Sequence, residues 1–167
     1  MHTTPPLGLI AGAGELPRQV AHGARRAGQR LAIVALRGWA DPGLREMADR
    51  FAWHGVAQLG GWIRTLRSAG CREVVMVGRV RKADMLALPR WRQWLLYVPD
   101  WTSPRVWYFR SADKRNDSLL RAVADELQRN GITMIDSTKY CPEALAVAGV
   151  LTDFEPPARV RDDAEFA

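Results

Sequence analysis

The chain has 167 residues, with 24 Lys+Arg against 18 Asp+Glu, a formal net charge of +6 and a pI near 10.0. At 47% hydrophobic and 25% charged it has the composition of an ordinary globular protein, long enough to bury one core without disulfides or structural metal. No apolar run reaches the roughly 18 residues of a membrane-spanning helix, and the opening MHTTPPLGLIAGAGELP lacks the charged start of a signal peptide.

Cys71 and Cys141 stand apart from any CxxC or Cys/His cluster, which argues against a zinc or disulfide scaffold and for a reducing, cytoplasmic setting. The basic excess is nearly all arginine, 21 of the 24 cationic side chains. Arginine at this density suits nucleic acid, anionic lipid or a phosphate-bearing small molecule.

In chain order, an apolar run at Leu7–Ala11 predicts a first strand, ending in Gly12-Ala13-Gly14. Leu16, Val20, Ala24 and Ala27 recur at helical spacing over Glu15–Ala27, and Gly28 stops that helix. Leu31–Leu36 reads as a second strand, followed by Arg37-Gly38. After the turn-like Asp41-Pro42-Gly43 come a short helix at Leu44–Arg50 and a weak strand near Phe51–Val56. Gly61–Ala69 reads as a helix closed by Gly70, and Glu73–Val77 as a strand followed by Gly78-Arg79. The stretch 91–109 is rich in tryptophan and flanked by arginines; its readings are core packing, a lipid interface or stacking on single-stranded nucleic acid. A clear stripe at Leu119, Leu120, Val123, Ala124 and Leu127 predicts a helix over Asp117–Arg129, with Asn116 or Asp117 as its cap. A last strand at Ile132–Ile135 and a short helix around Pro142–Ala148 complete the pattern. Strands alternating with helices imply a parallel sheet covered on both faces.

In such a sheet, ligands bind beyond the carboxyl ends of the strands. Those ends are marked by Gly12 and Gly14, by Gly38, by Gly60 and Gly61, and by Gly78. Each glycine also fits a plain turn; together, along one edge, they favour a ligand crevice. Gly12-Ala13-Gly14-Glu15-Leu16-Pro17 feeds a strand into a helix, aiming backbone N–H groups at an anion. It departs from the dinucleotide fingerprint at Pro17, where a third glycine belongs, and at Glu15, which brings negative charge beside any phosphate. Arg37 stands where NAD enzymes keep an acid, which leaves an NADP-linked oxidoreductase open. Arg37 and Arg79 could clamp a pyrophosphate or be plain loop arginines. Asp117 and Ser118 are a helix cap or a polar helix start facing the same crevice. His22 and His54 have no matching nucleophile or acid nearby and read as surface or core histidines. On these residues alone, a non-catalytic module for nucleotides or nucleic acid also stands.

The blocks LIAGAGELP from Leu9, VALRG from Val34, QLG from Gln58, EVVMVGRV from Glu73, DSLLRAVADE from Asp117 and AGVLT from Ala148 keep one order and spacing over nearly the whole chain. In that order they resemble the N-terminal half of the two-domain UDP-2,3-diacylglucosamine pyrophosphatases of lipid A biosynthesis. The resemblance implies a Rossmann-like, three-layer α/β domain with a mostly parallel sheet over residues 1–152, and residues 153–167 as a linker or the start of a C-terminal catalytic domain. It implies hydrolysis of UDP-2,3-diacylglucosamine to UMP and the diacylated sugar 1-phosphate, assisted by Mg2+. The setting is the cytoplasm, peripheral to the inner membrane, with no nucleic acid partner and with a homodimer compatible. The substrate-binding set expected is Gly12, Gly14, Glu15, Arg37, Gly38, Gly78, Arg79, Asp117 and Ser118. The family's catalytic aspartate belongs to the second domain, so no residue is assigned to catalysis, and the chain is expected to bind substrate without turning it over. Two departures stand out. The tryptophan-rich stretch is unlike the family's usual one, and its Gly-Asp-Asp becomes Arg115-Asn116-Asp117.

Overall fold

A computed structural model of the chain describes residues 4–80 and 116–142. The tryptophan-rich stretch 91–109, the helix expected at Pro142–Ala148 and the tail from Asp153 lie outside these residues, apart from Pro142 itself. Five strands form one sheet: β1 (Leu7–Ala11), β2 (Leu31–Leu36), β3 (Arg50–His54), β4 (Glu73–Val77) and β5 (Thr133–Met134). Their order is β3-β2-β1-β4-β5 and every pairing is parallel. Among the described residues three helices accompany them: α1 (Leu16–Arg26), α2 (Leu59–Ala69) and α3 (Asn116–Arg129). The α/β three-layer reading is therefore met.

Parallel strands need crossover connections, and the crossovers put helices on the sheet. The central strands β1 and β2 are apolar throughout because neither face meets water: all five residues of β1 and all six of β2 are buried. Alternate side chains feed two cores. On one face Leu9, Ala11, Ile33, Ala35 and Val75 pack with Val20, Ala21 and Ala24 of α1. On the other, Ile10, Val34 and Val74 pack with Trp62, Ile63 and Leu66 of α2 and with Val123 and Leu127 of α3. Gly8 belongs to this second face, where a Cβ would come 2.7 Å from Leu66 Cδ2, so its missing side chain is what lets α2 settle on β1.

The connection between β2 and β3 differs from the expected helix at Leu44–Arg50. Pro42–Met47 forms a 3-10 helix, opened by the Asp41 carboxylate accepting from the Gly43 amide at 2.8 Å. Leu44 is its buried residue, and the segment is fastened to α1 from outside. Arg25 donates through Nε to the Met47 carbonyl at 2.8 Å and pairs with Asp49 at 3.1 Å, while Arg18 meets Asp41 at 3.3 Å. These exposed ion pairs contribute only ~0–1 kcal/mol each, yet they engage two arginines that composition alone would offer to a ligand. A second 3-10 helix, Ser137–Tyr140, follows β5 and brings Tyr140 against α1.

Two expected outcomes follow from this packing. A Cβ on Gly23 would overlap the Tyr140 carbonyl oxygen. Gly23→Ala, normally a gain of ~1 kcal/mol within a helix, therefore lowers stability here by about 1–3 kcal/mol through overpacking, as read by urea denaturation. Burial also pushes the Cys71 thiol up from 9.0 to about 11. The unfolded chain releases this proton first, so the contribution is whole below pH 9 and is lost as pH rises from 9.0 towards about 11. Denaturation midpoints across that window fall with pH, and Cys71→Ala flattens that fall.

Candidate functional site

Strand order reverses between β1 and β4, so the loops leaving their carboxyl ends flank the switch point where ligands of open α/β sheets bind. The ladder runs on past β1, with the Gly12 amide donating to the Val77 carbonyl at 2.8 Å. Ala13 and Arg79 then form an antiparallel bridge. The Ala13 amide donates to the Arg79 carbonyl at 3.0 Å and the Arg79 amide to the Ala13 carbonyl at 2.9 Å. The turn that brings Arg79 back requires φ of +96° at Gly78, and a Cβ there would lie 2.7 Å from the Gly12 carbonyl carbon. Both glycines thus serve a backbone-to-backbone contact.

Beyond the bridge the chain opens to solvent. Gly14 is exposed, with φ of +106° and nothing within 4 Å of where a Cβ would stand. Glu15 caps α1 through its backbone only, its carbonyl accepting from Arg18 and Gln19 at 3.0 and 3.1 Å while its side chain makes no capping bond. Among the described residues, the amides of Gly14, Glu15 and Leu16 have no acceptor. Pro17 contributes no N–H and fixes the backbone for the first turn. Three amides on exposed residues at the positive end of a helix dipole form a surface that attracts an anion. The exposed Glu15 carboxylate opposes it.

Arg37 and Gly38 sit one strand over. The Arg37 amide donates to His54 O at 2.8 Å, and its guanidinium reaches Trp53 O at 3.5 Å, so in this structure it rests on the β3 side of β2. Gly38 is exposed, with φ of +83°. Asp117 and Ser118 lie in the first turn of α3. Because α3 leads into the parallel strand β5, that turn belongs to the same rim. The expected residues are therefore placed along one edge, with Gly12, Gly14, Glu15, Gly78 and Arg79 grouped at β1–β4.

Gly60 and Gly61, read from sequence as strand-end glycines, are buried in the first turn of α2. Gly61 leaves room for the His54 ring, whose Nδ1 would lie 2.6 Å from an added Cβ. His54 Nε2 and Thr65 Oγ1 are 2.8 Å apart, so this histidine joins β3 to α2. His22 is exposed on α1. The residue that follows β3 is Gly55. Its amide donates to Gln58 Oε1 at 2.8 Å and its carbonyl accepts from Trp62 Nε1 at 3.0 Å. Among the described residues, no three of His, Cys, Asp and Glu gather as metal ligands. Cys71 and Cys141 are buried thiols.

The model of the LpxI N-terminal domain matches residues 6–144. The UDP-2,3-diacylglucosamine pyrophosphatase LpxI of Caulobacter vibrioides is 33% identical over 152 residues, which cover 90% of this chain and 50% of that protein. The chain thus spans about half the length of the curated relative it matches. Among solved structures, a UDP-glucose-4-epimerase from Stenotrophomonas maltophila, with bound NAD and formylated UDP-arabinopyranose, aligns with a TM-score of 0.49 at 12% identity, over 77% of this chain and 35% of that one. With a parallel α/β domain whose sequence matches the family's own N-terminal model from end to end of the described fold, this chain belongs to the LpxI family.

Proposed function

We propose that this chain is the nucleotide-binding half of a UDP-2,3-diacylglucosamine pyrophosphatase acting in lipid A biosynthesis. The observation that carries the reading is the family match over residues 6–144, joined to a relative of that activity at 33% identity. In the whole enzyme, water adds across the P–O–P linkage of UDP-2,3-diacylglucosamine, giving UMP and 2,3-diacylglucosamine 1-phosphate. Such a reaction builds negative charge on phosphate oxygens, and preorganised donors aimed at that charge lower its barrier.

The rim offers donors of this kind. The amides of Gly14, Glu15 and Leu16 face outward, and Arg79 is exposed on the loop bridged to them. Arg37 and Gly38, with Asp117 and Ser118, extend the same edge. Glu15 is the acidic member, placed to orient a donor on the substrate or to keep a phosphate at the proper distance. Among the described residues, no helix is long and apolar enough to cross a membrane. A substrate with two acyl chains would bring the protein to the cytoplasmic face of the inner membrane as a peripheral visitor. The expected magnesium would supply charge neutralisation when bound.

Turnover requires the second half of the family's architecture, and this chain alone binds without hydrolysing. Incubated with UDP-2,3-diacylglucosamine and magnesium, the purified chain releases UMP no faster than buffer. Release in proportion to protein concentration would refute the claim of inactivity. In a calorimetric titration with UDP, Arg79→Ala weakens binding by about fivefold, corresponding to ~1 kcal/mol for a solvent-screened contact with a charged group. The loss shrinks at high salt. Failure of UDP to bind the unmodified chain would defeat the nucleotide reading.

A further inference from the structure

In dinucleotide-binding sheets of this order, the ligand lies across the crevice between β1 and its neighbour β4. Its pyrophosphate sits on the first βα turn and its second half passes to the β4 side. That passage requires the two loops to part after their strands. Here they do not. The ladder runs one residue further through the 2.8 Å bond from the Gly12 amide to Val77 O, and Ala13 and Arg79 then exchange both main-chain bonds at 3.0 and 2.9 Å. Gly12 and Gly78 stand back to back beneath this strap. A Cβ on Gly12 would be 3.0 Å from the Gly78 carbonyl carbon and from the Arg79 carbonyl oxygen, and one on Gly78 would be 2.8 Å from the Gly12 Cα. The glycines that look in sequence like room for a ligand are the room in which the strap is made.

We infer that Gly12 and Gly78 determine the ligand class of this rim. The strap they permit closes the switch point to an extended dinucleotide and, among the described residues, leaves the outer side, at the Gly14–Leu16 amides, for the diphosphate of a single nucleotide. The identity of the admitted ligand rests on the nucleotide reading above; the closure rests on the strap alone. Pro17 agrees with it, since a dinucleotide turn needs a third glycine at that place for close helix packing.

Amide-resolved NMR on the whole chain tests both parts. Without nucleotide, the Ala13 and Arg79 amides exchange with solvent at least tenfold more slowly than the Gly14 amide. In separate titrations, UDP shifts the Gly14–Leu16 amides, while NAD+ and NADP+ bind at least tenfold more weakly than UDP. Exchange at Ala13 and Arg79 as fast as at Gly14 would overturn the strap. Binding of NAD+ or NADP+ within tenfold of UDP, with shifts at Ala13 and Arg79, would overturn the exclusion. If none of the three binds while both amides stay protected, closure to dinucleotides is upheld and the nucleotide reading alone fails.

Discussion

β1 is hydrogen-bonded to β2 along one side and to β4 along the other, with Leu9 level with Ile33 on the first and with Val75 on the second. A central parallel strand has no solvent face, so each of its residues must be small or apolar, and LGLIA meets that demand at every position. Everything else hangs on this placement. Gly8 admits α2 on one face, Leu9 meets the α1 core on the other, and the reversal of strand order beside β1 brings the Gly12 and Gly78 loops together. A polar residue within β1 would be buried without a partner in whichever of the two cores its position faces.

The rim inherits its stiffness from the same strand. Loops leaving neighbouring parallel strands are only about 5 Å apart at their roots, and here two further main-chain bonds keep them joined through Ala13 and Arg79. Both arginines project from a backbone that is tied down, Arg79 through its paired bonds with Ala13 and Arg37 through its amide on His54 O at 2.8 Å. They differ in the side chain, because the Arg37 guanidinium is directed at Trp53 O of β3, 3.5 Å away. The two arginines look equivalent in sequence, each beside a strand-terminal glycine, and the fold makes them unequal.

The ends of β1, β2 and β4 were legible in the sequence because apolar runs bounded by glycine or charge leave one reading for a buried parallel strand. The helix ends at Gly28, Gly70 and Gly131 were legible for the same kind of reason: all three have positive φ. What stayed hidden depends on contacts between distant segments. Pro42–Met47 tightens into a 3-10 helix under the Asp41 cap and the hold of Arg18 and Arg25, none of which a helical periodicity reports. The Ser137–Tyr140 turn takes its place from Gly23, 114 residues or more earlier in the chain, through a close approach that local pattern does not encode. Gly60 and Gly61 lie in α2 and not at a strand end, because β3 ends at His54 rather than Val56 and an edge strand with half-buried residues blurs that boundary in the sequence. At the site, the glycines were found and their use was not: sequence offers two glycine turns, and only the adjacency of β1 and β4 turns them towards each other.

The arginine excess divides along similar lines. Arg18 and Arg25 brace the first 3-10 helix, Arg30 donates to the Thr4 carbonyl at 3.1 Å, and Arg129 pairs with Glu126 at 3.4 Å. These contacts hold segments together and remove part of the charge that would otherwise argue for a polyanion. What the β1–β4 rim presents among the described residues is different in kind: amide donors, the Arg79 guanidinium and the Glu15 carboxylate. His54, one strand over, is engaged with Thr65 Oγ1 at 2.8 Å and so serves the packing of α2 on β3 rather than the rim. What the described rim offers a ligand is therefore set by main-chain geometry: the adjacency of β1 and β4 that builds the centre of the sheet also turns their two loops, and the donors on them, towards one another.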